Sequence, residues 1–154
     1  MITVGSKGFD ETIAMLEKVS NETEGVMKTS VYMGAKVVAD EMKTQLNSLK
    51  TSKTFNAKNK RYCFEEDKQA LIQNMGVSKI KGGDSVNTKV GFDGYFKGKN
   101  GKDIAVPLVA NAINAGTSFM YPQPFMNATK RSAEKECISA MQKQLDTSIK
   151  EITK

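Results

Sequence analysis

The stretch Gly116-Thr117-Ser118-Phe119-Met120-Tyr121-Pro122-Gln123-Pro124-Phe125-Met126-Asn127-Ala128 carries two of the chain's three prolines. Proline fixes its own φ and offers no amide donor, so a segment punctuated in this way holds one path. Before it, Val109, Ala112 and Ile113 form one face of a short helix, which Pro107 opens at its first turn and Gly116 stops. After it, Pro124 suits a first helical position and sets Phe125 at the mouth of a long amphipathic run. Phe125, Ala128, Ile138, Met141, Leu145 and Ile152 lie near one stripe, with Ile149 beside it, while Lys130, Arg131, Lys135, Lys143 and Lys150 cover the other faces. This spacing predicts a helix over about 124–152.

Upstream, Met27, Val31, Ala35, Val38, Met42, Leu46 and Leu49 step by fours and threes. They form one apolar stripe over about six turns. Asn21 followed by Glu24 offers a cap, so the helix is placed at about 22–49. A separate first helix near 9–20 is read from Phe9, Ile13 and Leu16, with Asp10 and Glu11 at its start. Gly34 permits close approach of another backbone. Ile2 and Val4 read as a short strand or arm.

Between the long helices, Glu65-Glu66-Asp67 opens a short helical turn that Gly76 ends. Segments 77–82 and 86–93 read as a hairpin around Gly82-Gly83-Asp84. Ile104, Val106 and Leu108 form a third strand or the entry to the next element. Two single-stripe helices need a sheet or each other to bury their apolar faces. The expected fold is a single α+β domain over 1–154, a small antiparallel sheet packed by two long helices plus short ones.

The 154 residues contain no His and no Trp, with nine Met and only two cysteines, Cys63 and Cys137. Absence of His excludes Cys-His catalysis, the Ser-His-Asp triad and His-based zinc sites. The cysteines are far apart and show no paired metal spacing. They are expected as free thiols in a reducing compartment. Adjacent acids at 65–67 point in different directions on a helix and suit its dipole. The glycine-rich pieces match no phosphate-binding loop or dinucleotide fingerprint. No catalytic, cofactor or metal site is expected. No apolar run is long enough to span a bilayer, and the start of the chain does not resemble a leader.

The net charge of +6 favours acidic partners. Residues 50–64 hold Lys50, Lys53, Lys58, Lys60 and Arg61 in a polar loop read as flexible, with Phe55 and Tyr62 as possible anchors. Lys97 to Lys102 form a second basic loop with turn chemistry. The candidate partner interface is therefore Lys53, Lys58, Lys60, Arg61, Lys97 and Lys99, with Met120 and Tyr121 from the proline segment. Gly116, Pro122, Pro124 and Phe125 are its structural connector. One alternative reading is a small basic nucleic-acid-binding protein, which meets only the electrostatic criterion.

Ala112-Ile113-Asn114-Ala115-Gly116-Thr117, then Tyr121-Pro122-Gln123-Pro124-Phe125-Met126-Asn127-Ala128, resembles a signature of a phage virion family. Its members are the small tail-completion, or head–tail joining, proteins of long-tailed bacteriophages and prophages. The helix with Val38-Ala39-Asp40, the variable basic loop and the strand ending Val90-Gly91-Phe92 extend the likeness to most of the chain's layout. Many members carry an acid and an aromatic where this chain has Asn114 and Ala115. The resemblance implies a non-enzymatic structural protein at the head-proximal end of the tail or neck. It would assemble as a homo-oligomeric ring against neighbouring neck or tail proteins, near passing DNA and without a membrane. It implies the host cytoplasm during assembly and the virion afterwards.

Overall fold

The computed structural model describes residues 7–54, 58–82 and 86–154, with the side chains of 7–13, 15, 16, 19 and 21 outside that description. The order is α1 (Lys7–Asn47), α2 (Glu65–Gln73), β1 (Met75–Val77), β2 (Val90–Phe92), β3 (Tyr95–Lys97), β4 (Asp103–Ala105), α3 (Val106–Ala115) and α4 (Phe125–Ile152). This is an α+β fold with two long helices. The reading of Ile2 and Val4 as a strand, Phe55 as an anchor and the turn at Gly83-Asp84 fall outside the described residues.

The two helices expected over 9–20 and 22–49 are one helix of 41 residues, about 60 Å long at 1.5 Å per residue. Asn21 does not cap a new helix. No proline interrupts the segment, and an Asn inside a helix costs only about 0.7 kcal/mol relative to Ala. Tertiary packing further along outweighs that easily. Helix α4 begins where Pro124 predicts, with the proline itself as the flanking residue.

The strands divide into two antiparallel ladders, β1–β2 and β3–β4. Met75 pairs Phe92 in the first and Phe96 pairs Ile104 in the second. Gly94 lies between β2 and β3 at φ 83°, where the chain turns out of one ladder and into the other. The hairpin expected over 77–82 and 86–93 is present, but its ladder joins Met75–Val77 to Val90–Phe92, so α2 ends at Gln73 and Gly76 lies inside β1 instead of ending the helix; a further bridge joins Lys81 to Asn87.

The main core gathers Met42, Leu46 and Leu49 from the end of α1, with Cys63, Leu71, Val106, Ala110, Ile113 and Phe125. Leu46, Leu71 and Ile113 are fully buried. Each contributes about 1.5–3 kcal/mol relative to exposure. Phe92 and Phe96 bring the two ladders against this cluster.

Beyond the core, α1 and α4 run side by side as an arm. Their directions oppose: Phe125 joins the core with the end of α1, while Lys18 Nζ donates to Ile152 O at 3.5 Å. The arm's buried positions are small: Ser30, Gly34 and Ala35 on α1, Thr129, Ala133 and Ser148 on α4. A Cβ at Gly34 would sit 2.6 Å from Met141 Cγ and 3.0 Å from Cys137 Sγ. The side chains of Met141 and Cys137 thus occupy the space beside Gly34. Ile138, Leu145 and Ile149, expected on or beside the buried stripe of α4, are exposed instead.

Candidate partner interface

Gly116 closes α3 at φ 77° and ψ 172°, a combination close to glycine's own region. Its N–H donates to Ala112 O at 2.9 Å. A Cβ there would meet Pro122 N at 2.8 Å and Met120 O at 3.0 Å. The chain then folds tightly: Thr117 N–H donates to Met120 O at 3.0 Å and Met120 N–H to Thr117 O at 3.3 Å. This turn presents Phe119 to solvent, 62% exposed.

The basic loop meets this turn through main chain. Arg61 N–H donates to Phe119 O at 3.0 Å, and Tyr121 N–H donates to Arg61 O at 2.9 Å. These two bonds bracket Met120, whose side chain is half-buried against the core. Tyr62 and Tyr121 place their ring centroids 5.3 Å apart, and Lys50 Nζ lies 5.6 Å from the Tyr62 ring. At the loop's other side, Ser52 N–H donates to Cys63 O at 2.9 Å and Tyr62 N–H to Ser52 Oγ at 2.9 Å.

Downstream, Gln123 N–H donates to Ile113 O at 2.8 Å, and its side chain bonds the backbone of Lys50. Asn114 Oδ1 accepts from Met126 N–H at 3.1 Å, satisfying one of the unpaired donors at the start of α4. Phe125 is 3% exposed and meets Phe92 edge-on, centroids 5.9 Å apart. The connector is thus bonded to α3, to the basic loop and to the core.

The second basic loop sits elsewhere. It is the turn of the β3–β4 hairpin, closed by Gly98 N–H to Lys102 O at 3.0 Å. Lys97 pairs with Asp103 at 2.8 Å, and Lys99 with Glu66 at 3.6 Å. Lys99 Nζ also lies 3.8 Å from the Phe64 ring centroid, and Arg61 lies 4.0 Å from it. A cleft of about 850 Å³ opens here, with Phe96 and Ile104 among its lining. Asp67 Oδ2 caps the start of α2 by accepting from Phe64 N–H at 3.0 Å, and burial pushes its carboxyl pKa up.

The predicted interface residues therefore form two groups that meet at Arg61. Lys53, Lys58 and Lys60 are exposed on the same loop as Arg61, beside Tyr121 and Met120. Lys97 and Lys99 belong to a hairpin that reaches Phe64, and each faces an acid of this chain. The sequence reading missed Phe64, the ring that both cations share, and Phe119, the exposed tip of the connector. An aromatic three residues after a loop arginine was the available signal for Phe64.

Cys63 is buried, and burial, with the Asp67 charge next in effect, pushes its thiol up to about 11. Cys137 is half-buried, and its thiol is also raised by desolvation. Neither has the depressed pKa that makes a thiol nucleophilic. Among the described residues, no group of three or more Cys, Asp or Glu is placed to hold a metal ion, and no helix is long and apolar enough to cross a membrane. No protein-family model, curated protein or solved structure matches the chain.

Proposed function

We propose that this chain is a non-enzymatic virion protein of a long-tailed bacteriophage or prophage, acting in tail completion and head–tail joining. What carries the reading is the connector from Gly116 to Ala128. The residues that resemble the phage family are the same ones that pin α3, the basic loop and α4 together. A part that works by assembly needs such a rigid joint, with partner-facing groups displayed around it. Phe119, Tyr121, Lys53, Lys58 and Lys60 are exposed there. They would face the next copy in a ring, or an acidic neighbouring neck or tail protein. The chain would assemble in the host cytoplasm and remain in the virion.

Deletion of the gene in a producing phage, followed by electron microscopy, tests the proposal. The expected result is full heads and separate tails, restored to joined particles by the purified protein. Normal joined particles without the protein would overturn it.

A second reading has one observation of its own. The Tyr62–Tyr121 pair beside Lys50 offers stacking surface next to positive charge, as single-strand binders do. It predicts single-stranded DNA binding that weakens steeply with salt, and no binding at low salt removes it.

A further inference from the structure

We infer that the cleft between α2 and the β3–β4 hairpin binds a small organic phosphate monoester, whose phosphoryl group is held by Lys99 and Arg61 and whose apolar body rests on Phe96 and Ile104. The cleft measures about 850 Å³. That is within the range of about 300–1,000 Å³ that holds small molecules, and far more than a bare anion fills. Two unlike kinds of group line it. Phe96 and Ile104 stand opposite one another in the β3–β4 register and supply apolar surface. Arg61, Lys97, Lys99 and Lys102 supply four cations.

Three carboxylates also line the cleft, and each already has a task. Asp103 pairs with Lys97 at 2.8 Å. Asp67 accepts from Phe64 N–H at 3.0 Å, and its charge also acts on Arg61. Glu66 meets Lys99 only at 3.6 Å, with both side chains more than half exposed, and an exposed pair this long adds little. Lys102 is exposed and, among the described residues, pairs with no acid. The balance of the lining is therefore positive, and Lys99 is the cation most easily taken over. Lys99 Nζ lies 3.8 Å from the Phe64 ring centroid and the Arg61 guanidinium 4.0 Å, so the two cations are within about 8 Å of each other, where like charges repel. An oxyanion that reaches both relieves that repulsion.

Charge selects the chemistry of the anion. A carboxylate that displaced Glu66 from Lys99 would exchange one single charge for another. A phosphate monoester carries about −1.5 to −2 at pH 7 and presents three acceptor oxygens. It therefore holds Lys99 more strongly than Glu66 does, and its remaining oxygens reach Arg61 at about 2.8 Å per charge-assisted bond. The inference uses none of the exposed groups proposed for assembly, Phe119, Tyr121, Lys53, Lys58 and Lys60. It does not depend on the role in a phage tail.

Calorimetric titration of the whole chain with phenyl phosphate at low ionic strength, where exposed charges are screened least, tests it. Saturable binding at one site is expected. Inorganic phosphate lacks the apolar body and should bind at least about tenfold more weakly. Phenylacetate keeps the ring with a single charge and should bind at least about threefold more weakly. Lys99→Gln should weaken phenyl phosphate binding at least about tenfold. Glu66→Gln removes the competing carboxylate and should tighten it about two- to fivefold. Lys143→Gln makes the same charge change as Lys99→Gln at an exposed site on α4, and should shift the affinity less than about twofold. All three residues are exposed, so the variants keep the fold, which circular dichroism verifies. Absence of saturable binding, equal affinity for phenyl phosphate and inorganic phosphate, or a loss in Lys143→Gln as large as that in Lys99→Gln overturns the inference.

Discussion

The side-chain amide of Gln123 lies along the backbone of Lys50 and satisfies both of its polar groups: Lys50 N–H donates to Gln123 Oε1 at 2.8 Å, and Gln123 Nε2 donates to Lys50 O at 3.0 Å. The two residues are 73 positions apart. One side chain thus replaces a strand partner for the chain as it leaves α1 and enters the basic loop. Gln123→Ala removes both bonds, so at about 0.5–1.5 kcal/mol per bond it should cost about 1–3 kcal/mol in urea unfolding. Gln123→Glu keeps the acceptor but sets a carboxylate against Lys50 O, and should be no better than Ala.

Gly116→Ala tests the connector at its sharpest point. The positive φ alone costs about 1–3 kcal/mol for a residue with a Cβ, and the contacts at 2.8 Å and 3.0 Å are with backbone atoms that cannot swing aside. The expected loss of stability is at the upper end of that range or beyond it. A variant as stable as the parent would mean that the turn at Thr117–Met120 relaxes freely.

Phe125→Ala should cost about 3–5 kcal/mol, because the ring is 3% exposed and packs on Phe92. A change near zero in thermal unfolding would mean that the ring serves an interface instead of the core.

The connector was legible because proline and glycine act locally. Pro107, Gly116 and Pro124 each mark a helix end by their own backbone chemistry, and the structure has those ends within a residue. The hairpin, read over 77–82 and 86–93, followed from alternation in the same way, although its first strand begins at Met75. What was not legible depended on distance. Asn21 looked like a cap because its neighbours alone were in view, and the packing that holds α1 straight through it lies on α4. The buried face of α4 was misread for a related reason. Periodicity ranks positions by hydrophobicity, so it chose Ile138 and Leu145 over Ala133 and Ser148. Gly34, read as a site where another backbone comes close, receives the side chains of Met141 and Cys137 instead. In the candidate interface, Lys97 and Lys99 looked free in sequence, since Glu66 stands more than thirty positions from Lys99 and the hairpin brings them together.

Two glycines of α1 should respond oppositely to a larger side chain. Around Gly25 a Cβ meets nothing within 4 Å, so Gly25→Ala should stabilise by about 0.5–1 kcal/mol through helix propensity. At Gly34 the new atoms meet Met141 and Cys137, and Gly34→Val should cost about 1–3 kcal/mol through overpacking. Thermal melts of the two variants check the pair. If both variants rise, the Met141 and Cys137 side chains move away from Gly34 at little cost.

Alkaline pH isolates Cys63. Its thiol donates to Lys50 O at 3.5 Å and is raised from an ordinary 9.0 to about 11, chiefly by burial. The folded chain therefore holds this proton more tightly than the unfolded one. Below pH 9 both states are protonated, and the group adds no pH dependence. Between about pH 9 and 11 the unfolded state ionises first, so stability falls as pH rises; above the folded value the slope from this group ends. Urea midpoints at pH 8, 9 and 10 should fall more steeply for the parent than for Cys63→Ala, because the two chains share every other ionisable group. Reaction with a thiol reagent at pH 8 gives the matching kinetic readout: half-buried Cys137 should react first and Cys63 only as fast as the fold opens. Equal alkaline slopes, or a Cys63 that reacts as readily as Cys137, would show that the thiol reaches solvent without unfolding.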